Sequence, residues 1–334
     1  MNKIVECVPN FSEGRNTATI DAIAEQIRGV RGVKLLSVEP DNDYNRCVVT
    51  FIGEPAAVQE AAFRATATAS RLIDMRTHKG EHPRMGATDV VPFIPVSGVT
   101  MEDCVEIANE YGKRVASELG IPIYLYESAA RTPDRSNLAT VRKGEYEGLA
   151  QKLQDPAWKP DYGAPVMNAQ SGATITGARV FLIAYNVNLQ TPSKDLAHEI
   201  ALRIRESGKT IKSENGASIK VPGSLKSVKA MGVYLERHKI SQVSINLTNY
   251  HVTPPHMAFE EVKREAGKLG ISVTGSEIVG LIPKEALLMA GGFFYHEKTS
   301  ATTEQQLIER AVAALGLSQL EPFDPKKKVI EYMI

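Results

Sequence analysis

A stretch of sixteen residues, from Asp74 to Asp89, contains the side chains best suited to chemistry. It reads Asp-Met-Arg-Thr-His-Lys-Gly-Glu-His-Pro-Arg-Met-Gly-Ala-Thr-Asp, with two imidazoles, two guanidinium groups and three carboxylates. An apolar run, residues 90–96, follows directly and predicts a buried strand. A polar loop that leads into a buried strand can hold reactive groups rigidly and leave them open to a ligand. We therefore expect the chemistry of this chain at this loop.

The loop has three interpretations. Residues 78–82 read His-x-x-Glu-His, a zinc-hydrolase pattern that places His78, Glu81 and His82 on one helix face. Gly80 within this pattern and Pro83 after it disfavour a regular helix. The second interpretation is one imidazole acting as a proton carrier near neutral pH, and His82 is the better candidate because Pro83 stiffens its backbone. The third is a solvated turn that only connects a helix to a strand.

Composition excludes several classes of protein. The 334 residues are 43% apolar and 23% charged, which is ordinary for a globular protein with two core-bearing domains. Lysine plus arginine equals aspartate plus glutamate at 39 each, so no global charge draws the chain to nucleic acid or to a membrane. Cys7, Cys47 and Cys104 form no CxxC pair, which disfavours disulfides and a thiolate metal site. Without a signal-peptide pattern or a spanning run, the expected compartment is the cytoplasm.

The pattern of elements occurs twice. In the first half, short β-branched runs and apolar residues at helical spacing predict the order strand, helix, strand, strand, helix, strand, with the second helix starting at Pro55. The same order returns from residue 180 onward, with a helix starting at Pro254 and Pro255. This is the order of the split β-α-β unit. We predict an α+β fold of two ferredoxin-like subdomains whose sheets face each other across a ligand-binding cleft.

A connector of different character, residues 155–179, joins the halves. Its glycines, amides and hydroxyls suit a neutral heteroaromatic ring such as a pterin or purine, and its spacing matches neither phosphate-binding nor dinucleotide-binding loops. A plain linker is the alternative interpretation.

Three further sites have polar side chains. Asn10 and the N–H groups of residues 9–14 could hold a carboxylate. The alternative is that Ser12 or Asn16 caps a helix and the segment has no other role. The turn with Glu39, Asp41 and Asp43 could orient an imidazole, although such turns are usually solvated. The basic set could attract a polyanionic tail, but a solvated surface is the simpler interpretation. That set is Arg131, Arg135 and Arg142.

Four segments together resemble the glutamate formiminotransferase family of histidine degradation. They are Val5-Glu-Cys-Val-Pro-Asn-Phe-Ser-Glu-Gly14, residues 72–95 with His-Lys-Gly-Glu-His-Pro-Arg-Met-Gly, residues 171–179, and Phe181-Leu-Ile-Ala-Tyr-Asn-Val-Asn188. The resemblance covers nearly the whole chain and implies two ferredoxin-like halves around a folate tunnel, here residues 1–178 and 179–334. It implies that His82 is catalytic. It also implies folate contacts at Gly163, Ala164, Pro165, Val166, Met167, Asn168, Ala169, Gln170, Ser171 and Gly172.

The resemblance also implies the reaction, which transfers the formimino group of N-formimino-L-glutamate to tetrahydrofolate. His82 would carry the proton, Asn10 and Arg46 would hold substrate carboxylates, and no metal would be needed. Mammalian members have aspartate where this chain has Glu39, so either Glu39 or Asp41 could assist His82. A formyl donor, a zinc hydrolase and a folate-binding module without catalysis remain alternatives. A homodimer and a cyclodeaminase on a separate polypeptide are further expectations from the resemblance.

Overall fold

The computed structural model describes residues 3–42, 44–212, 215, 218–295 and 302–333. The chain divides into two compact units, residues 1–180 and 181–334. Each unit combines a β-sheet with helices, and each is described by itself. Within the described ranges, no helix is long and apolar enough to cross a membrane.

The first unit contains seven strands and five α-helices in its described residues. The strands are β1 (Ile4–Cys7), β2 (Asn10–Phe11), β3 (Val33–Asp41), β4 (Arg46–Gly53), β5 (Thr88–Ser97), β6 (Ile123–Glu127) and β7 (Thr174–Ala178). The helices are α1 (Thr17–Arg28), α2 (Pro55–Leu72), α3 (Met101–Leu119), α4 (Leu138–Arg142) and α5 (Leu149–Lys152).

Strands β3, β4, β1 and β5 form an antiparallel sheet in that spatial order, with β2 also pairing with β4 and β5. Strand β1 therefore lies between β4 and β5. When the short strand β2 is left out of the count, these are the first, third and fourth strands of a split β-α-β unit. The sheet continues from β5 through two parallel pairings, β5 with β7 and β7 with β6. The predicted ferredoxin-like fold is confirmed for this unit, and two parallel strands extend it.

Local sequence explains these elements. Asn16 accepts a hydrogen bond from the Thr19 N–H and caps α1, while Pro55 occupies the first turn of α2, where its missing N–H costs nothing. Residues three or four apart on α1 and alternate residues on β4 are buried in one cluster, because these are the periods of a helix face and a strand face. This part of the cluster contains Ile20, Ile23, Ile27, Cys47, Val49 and Phe51.

The connector between the halves is not a linker over its whole length. Its residues 174–178 form β7, an internal strand whose residues are all buried. The hydroxyls of Thr174 and Thr176 donate hydrogen bonds to the carbonyls of Thr88 and Val91 on β5. The sequence pattern did not predict β7 as a strand, since threonine and glycine in a short run do not display the apolar period of a strand.

The second unit repeats the split β-α-β order. Its strands are β8 (Ile183–Leu189), β9 (Lys209–Lys212), β10 (Ser218–Val221), β11 (Val228–Leu235), β12 (Ile240–Leu247) and β13 (Val273–Val279). Its helices are α6 (Lys194–Ile204), α7 (Pro255–Lys268), α8 (Lys284–Phe294), α9 (Glu304–Ala314) and α10 (Pro325–Lys328). The main sheet has the order β11, β12, β8, β13 and is antiparallel throughout, and β9 pairs with β10 separately. The duplicated pattern predicted from the sequence is confirmed.

Candidate active site

The loop between α2 and β5 is not helical at residues 78–84, as Gly80 and Pro83 predicted. Two glycines let this loop lie against neighbouring backbone. A Cβ atom at Gly80 would be 2.4 Å from the carbonyl oxygen of Tyr44, and one at Gly86 would be 2.3 Å from that of Ala173. Only glycine can make such approaches without moving the backbone. The loop is therefore fixed by close contacts on both sides.

His78 has a structural environment. Its Nε2 lies 3.0 Å from the carbonyl oxygen of Asn45, and its Nδ1 accepts a hydrogen bond from Nε of Arg84 at 3.2 Å. Because a guanidinium only donates, Nδ1 has the lone pair and Nε2 donates to Asn45. Arg84 in turn donates to both carboxylate oxygens of Glu147, each at 2.7 Å. The buried His78 ring, with both nitrogens engaged, holds the loop in place.

His82 has a different environment. Its half-buried ring accepts a hydrogen bond at Nε2 from Nη1 of Arg46 at 2.9 Å. The same Nη1 lies 3.4 Å from Oδ1 of Asn10. The loop, β4 and β2 thus bring together three residues predicted from the sequence, although residues 46 and 82 are far apart along the chain. Because arginine is only a donor, the His82 ring is in its neutral form.

The surroundings lower the pKa of His82 from its ordinary value to about 3. Burial is the largest cause, followed by the positive charges of Arg46, Arg142 and Arg84, while Asp41 acts in the opposite direction. The imidazole is therefore a neutral base at physiological pH.

The two candidate carboxylates have different positions. Asp41 lies directly opposite Arg46 in the pairing of β3 with β4, and its charge acts on both Arg46 and His82. Glu39 pairs with Val48 and is exposed. Of the two carboxylates, Asp41 is therefore the one opposite Arg46 in the sheet. Asp43 lies outside the described residues.

The basic set singled out in the sequence does not form a surface patch. Arg135 is buried and donates to Asp161 at 2.7 Å. Arg142, at the end of α4, forms an ion pair with Asp89, which is 1% exposed. Of the three arginines, only Arg131 has a mostly exposed side chain. The solvated-surface interpretation was wrong for the other two because their carboxylate partners come from distant segments.

The side chains of the predicted folate-binding stretch are largely engaged within the chain. Asn168 donates to the Gly120 carbonyl at 3.4 Å and accepts from the Ser171 N–H at 3.0 Å. Gln170 donates to the Ser70 carbonyl at 3.1 Å, and the Ser171 hydroxyl donates to the same carbonyl at 3.3 Å. Gln170 and Ser171 hold the segment against α2, and Asn168 links it to the residue after α3. Residues 163–166 are the longest exposed run of the stretch, while the carbonyls of residues 168–171 accept hydrogen bonds within the chain.

The stretch and the His82 loop are neighbours. Gly172 forms a β-bridge with Gly86, four residues after His82, and the Ala87 N–H donates to the Ser171 carbonyl at 2.9 Å. Next to the loop is a pocket of about 570 Å³, within the range that holds a small organic ligand. The pocket is lined by Pro83, Ala139, Thr140, Arg142, Lys143, Gly144 and Glu145. The lining residues on and after α4 were not predicted from the sequence, because α4 is only five residues long.

The zinc-hydrolase interpretation requires residues 78–82 to form a helix, and they are not helical in this structure. His78 and His82 have different partners, and each ring accepts a hydrogen bond from an arginine. Within the described ranges, no group of three or more histidine, cysteine, aspartate and glutamate residues has the arrangement of a metal site.

A polar network in the second unit was also missed from the sequence. Gln242 on β12 donates to Asn188 on β8 at 2.7 Å and to Glu277 on β13 at 2.9 Å. Asn186 donates to the same Glu277 oxygen at 3.0 Å. Alternation of polar and apolar residues in these strands was the available signal.

The first unit thus presents the neutral imidazole of His82 bonded to Arg46, and the next residue, Pro83, lines a pocket together with Arg142. Such groups can move a proton beside an anionic small molecule. Residues 4–179 match the model of the formiminotransferase domain, N-terminal subdomain, and residues 184–334 match that of the formiminotransferase domain. The chain belongs to the formiminotransferase family.

The chain spans nearly the whole length of some relatives and only part of the length of others. The glutamate formimidoyltransferases of Streptococcus pyogenes serotype M1 and Thermoplasma acidophilum are 46% and 43% identical. These alignments cover 88% and 92% of this chain, and 94% and 96% of the relatives. The formimidoyltransferase-cyclodeaminase of Mus musculus is 50% identical over the whole chain, which spans 60% of that relative.

Proposed function

We propose that this chain is a glutamate formimidoyltransferase, which moves the formimino group from N-formimino-L-glutamate to tetrahydrofolate and releases L-glutamate. The observation that supports this most directly is the neutral His82 ring held by Arg46 beside Arg142. The names of relatives at 43–46% identity over most of their length give the same reaction.

Tetrahydrofolate, as co-substrate, supplies the amine nitrogen that accepts the one-carbon unit. The exposed backbone and small apolar side chains of residues 163–166 fit the flat face of a pterin. The side-chain amides of Asn168 and Gln170 are used inside the chain, so they support the segment. We therefore assign the folate contacts within 163–172 mainly to the exposed residues 163–166.

In this proposal His82 moves one proton from one nitrogen to another. It takes the proton of the attacking amine as the new carbon–nitrogen bond forms. It then returns that proton to the glutamate nitrogen as the old bond breaks, so the net proton count is unchanged. Asp41 stabilises the imidazolium between these steps. Positioned proton transfer of this kind is worth about 10²–10⁴-fold in rate.

In this proposal Arg46 and Asn10 hold a carboxylate of the donor. Arginine recognises carboxylates through paired donors, and Asn10 lies within 3.4 Å of Arg46 Nη1. The donor is negatively charged at its α- and γ-carboxylates, which complements the local excess of arginine. N-formyl-L-glutamate has the same carboxylates and is the natural comparison substrate.

We also propose subdomain limits of 1–178 and 179–334, a homodimer and a cytoplasmic location. The three cysteines are buried free thiols, which is compatible with a reducing compartment. Analytical ultracentrifugation tests the dimer, which would have twice the chain mass of 36.4 kDa. A mass of one chain at micromolar concentration contradicts it.

The reaction is tested with the purified chain, tetrahydrofolate and N-formimino-L-glutamate. We expect equal amounts of L-glutamate and 5-formiminotetrahydrofolate, undiminished by a zinc chelator. Glutamate release without folate modification indicates a hydrolase and contradicts the proposal. Folate binding without glutamate release indicates a binding module and also contradicts it. Faster turnover of N-formyl-L-glutamate would overturn the assignment of the donor.

A further inference from the structure

We propose that Arg46 keeps His82 inactive as a base until a carboxylate of the donor binds between Arg46 and Arg142. This inference rests on the proposed function and adds control of the base by the donor. It concerns the order of events at the site: the donor must be present before His82 can accept a proton.

The first observation is the hydrogen bond between Arg46 and His82. Arg46 Nη1 donates to His82 Nε2 at 2.9 Å. A neutral imidazole has one lone pair on its ring nitrogens, and this bond uses it. The other nitrogen, Nδ1, therefore carries the hydrogen and only donates. In this state His82 has no nitrogen that can accept a proton from a substrate.

The second observation is independent of histidine. The Nε atoms of Arg46 and Arg142 are both buried, and neither has a hydrogen-bond partner among the described residues. A buried donor without a partner costs about 1–3 kcal/mol. Two such donors, on arginines whose charges act on each other and on His82, point to a ligand whose acceptor oxygens complete their hydrogen bonding. A carboxylate has two oxygens and about four acceptor positions, which matches this need.

The third observation is the balance of charge. Arg142 is paired with Asp89, and Asp41 lies opposite Arg46. Arg46 and Arg142 nevertheless repel each other, and both lower the proton affinity of His82.

Arg84, the remaining cation that acts on His82, is paired with Glu145 at 3.2 Å and Glu147 at 2.7 Å. Arg84 is therefore already neutralised by its own carboxylates. The positive charge that an incoming anion can offset is that of Arg46 and Arg142.

Carboxylate binding would change the histidine in two ways. The anion accepts hydrogen bonds from Arg46 and weakens the bond to His82, so the Nε2 lone pair becomes available. Its negative charge also offsets the two guanidinium groups and raises the pKa of His82 from about 3 toward neutrality. Both changes make the ring a base only when the donor is bound. Neutral amidines, which lack carboxylates, would leave the base inactive.

Nuclear magnetic resonance of the full chain with ¹⁵N-labelled histidine tests this directly, because ring shifts report protonation and tautomer. The probe is L-glutamate, the released product, which has both carboxylates. We expect the free chain to show neutral His82 with hydrogen on Nδ1. We expect saturating L-glutamate to raise its titration midpoint by at least about two pH units. A midpoint near that of an ordinary histidine without ligand, or no shift with saturating L-glutamate, overturns the proposal.

Related ligands identify the carboxylate. L-glutamine lacks the γ-carboxylate, L-isoglutamine lacks the α-carboxylate, and glutaramide has neither. We expect one of the first two to reproduce the shift and glutaramide to produce none. A shift with glutaramide equal to that with L-glutamate contradicts the role of negative charge.

Variants separate the two arginines from general packing. Arg46→Gln should raise the midpoint without ligand and remove most of the ligand-induced shift. Arg142→Lys retains a cation that can pair with Asp89. This variant should bind L-glutamate more weakly, while the His82 titration midpoint without ligand stays low. Arg131→Gln, at a mostly exposed side chain, is the matched control. An Arg46→Gln chain that behaves like the parent refutes the proposal. A glutamate-induced shift without formimino transfer would refute the proposed function instead.

Discussion

Replacing His82 with glutamine should make the first unit less sensitive to acid. In the folded chain the pKa of His82 is lowered from 6.5 to about 3, chiefly by burial and then by Arg46. The unfolded chain has no such environment, so below pH 6.5 its histidine gains a proton that the folded chain does not bind. Stability attributable to this residue is therefore lost as pH falls from about 6.5 toward 3.

The magnitude follows from proton linkage. One extra proton bound by the unfolded state lowers the free energy of unfolding by about 1.4 kcal/mol for each pH unit. Between pH 6.5 and pH 5 this gives about 2 kcal/mol, and water screening of the exposed part of the ring reduces the expected value to between about 1 and 2 kcal/mol. His78, whose pKa is also lowered by burial, adds to the acid sensitivity of both chains and cancels in the difference.

Urea unfolding at pH 7, 6 and 5, followed by tryptophan fluorescence, is the appropriate assay. Trp158 is the single tryptophan of the chain and lies in the first unit, 6.4 Å from the ring of Tyr124. Its signal therefore reports the unit that contains His82. His251→Gln, the same change at an exposed position, is the control and should keep the pH dependence of the parent. Identical acid sensitivity of His82→Gln and the parent would refute the neutral, shielded state of His82.

Two further predictions concern the backbone and the assisting acid. Gly172→Ala should destabilise the chain by more than about 3 kcal/mol in thermal unfolding, since φ is +68° and the Cβ atom would be 2.1 Å from the Met85 carbonyl oxygen. Gly267→Ala, in α7 with open space around its Cβ, should instead stabilise by up to about 1 kcal/mol, and equal effects would refute the reasoning. Asp41→Asn should lower kcat for formimino transfer by about tenfold or more while Glu39→Gln stays close to the parent, and the reverse order would identify Glu39 as the assisting acid.

The elements of this fold could be predicted because they depend on local sequence. The helix that starts at Pro55 and the alternating buried residues of β4 follow from periods of 3.6 and 2 within short windows. The repeated order of elements then indicated two split β-α-β units. Strand β7 was missed because its residues, Thr-Ile-Thr-Gly-Ala, become strand-like only through pairing with β5 and β6.

The residues of the candidate site were predicted from the sequence, but the contacts between them were not. The loop composition indicated His82, the segment between the first strand and the first helix indicated Asn10, and the need of the reaction to hold substrate carboxylates indicated Arg46. The bond from Arg46 to His82 and the ion pair of Arg142 with Asp89 join residues that are distant in sequence. Such pairings depend on sheet register and on the packing of a short helix, which composition does not encode. For the same reason the internal use of the Asn168 and Gln170 amides could not be foreseen.

The role of His82 is tested most directly by a single-turnover measurement of formimino transfer in His82→Ala. Excess enzyme is mixed with N-formimino-L-glutamate and tetrahydrofolate, and L-glutamate release is followed in time. Folate affinity is measured separately, and His251→Ala is the control. We predict transfer about 10²–10⁴-fold slower in His82→Ala with unchanged tetrahydrofolate affinity. Transfer by His82→Ala within about threefold of the parent rate would contradict the account, because His82 would then move no proton in the reaction.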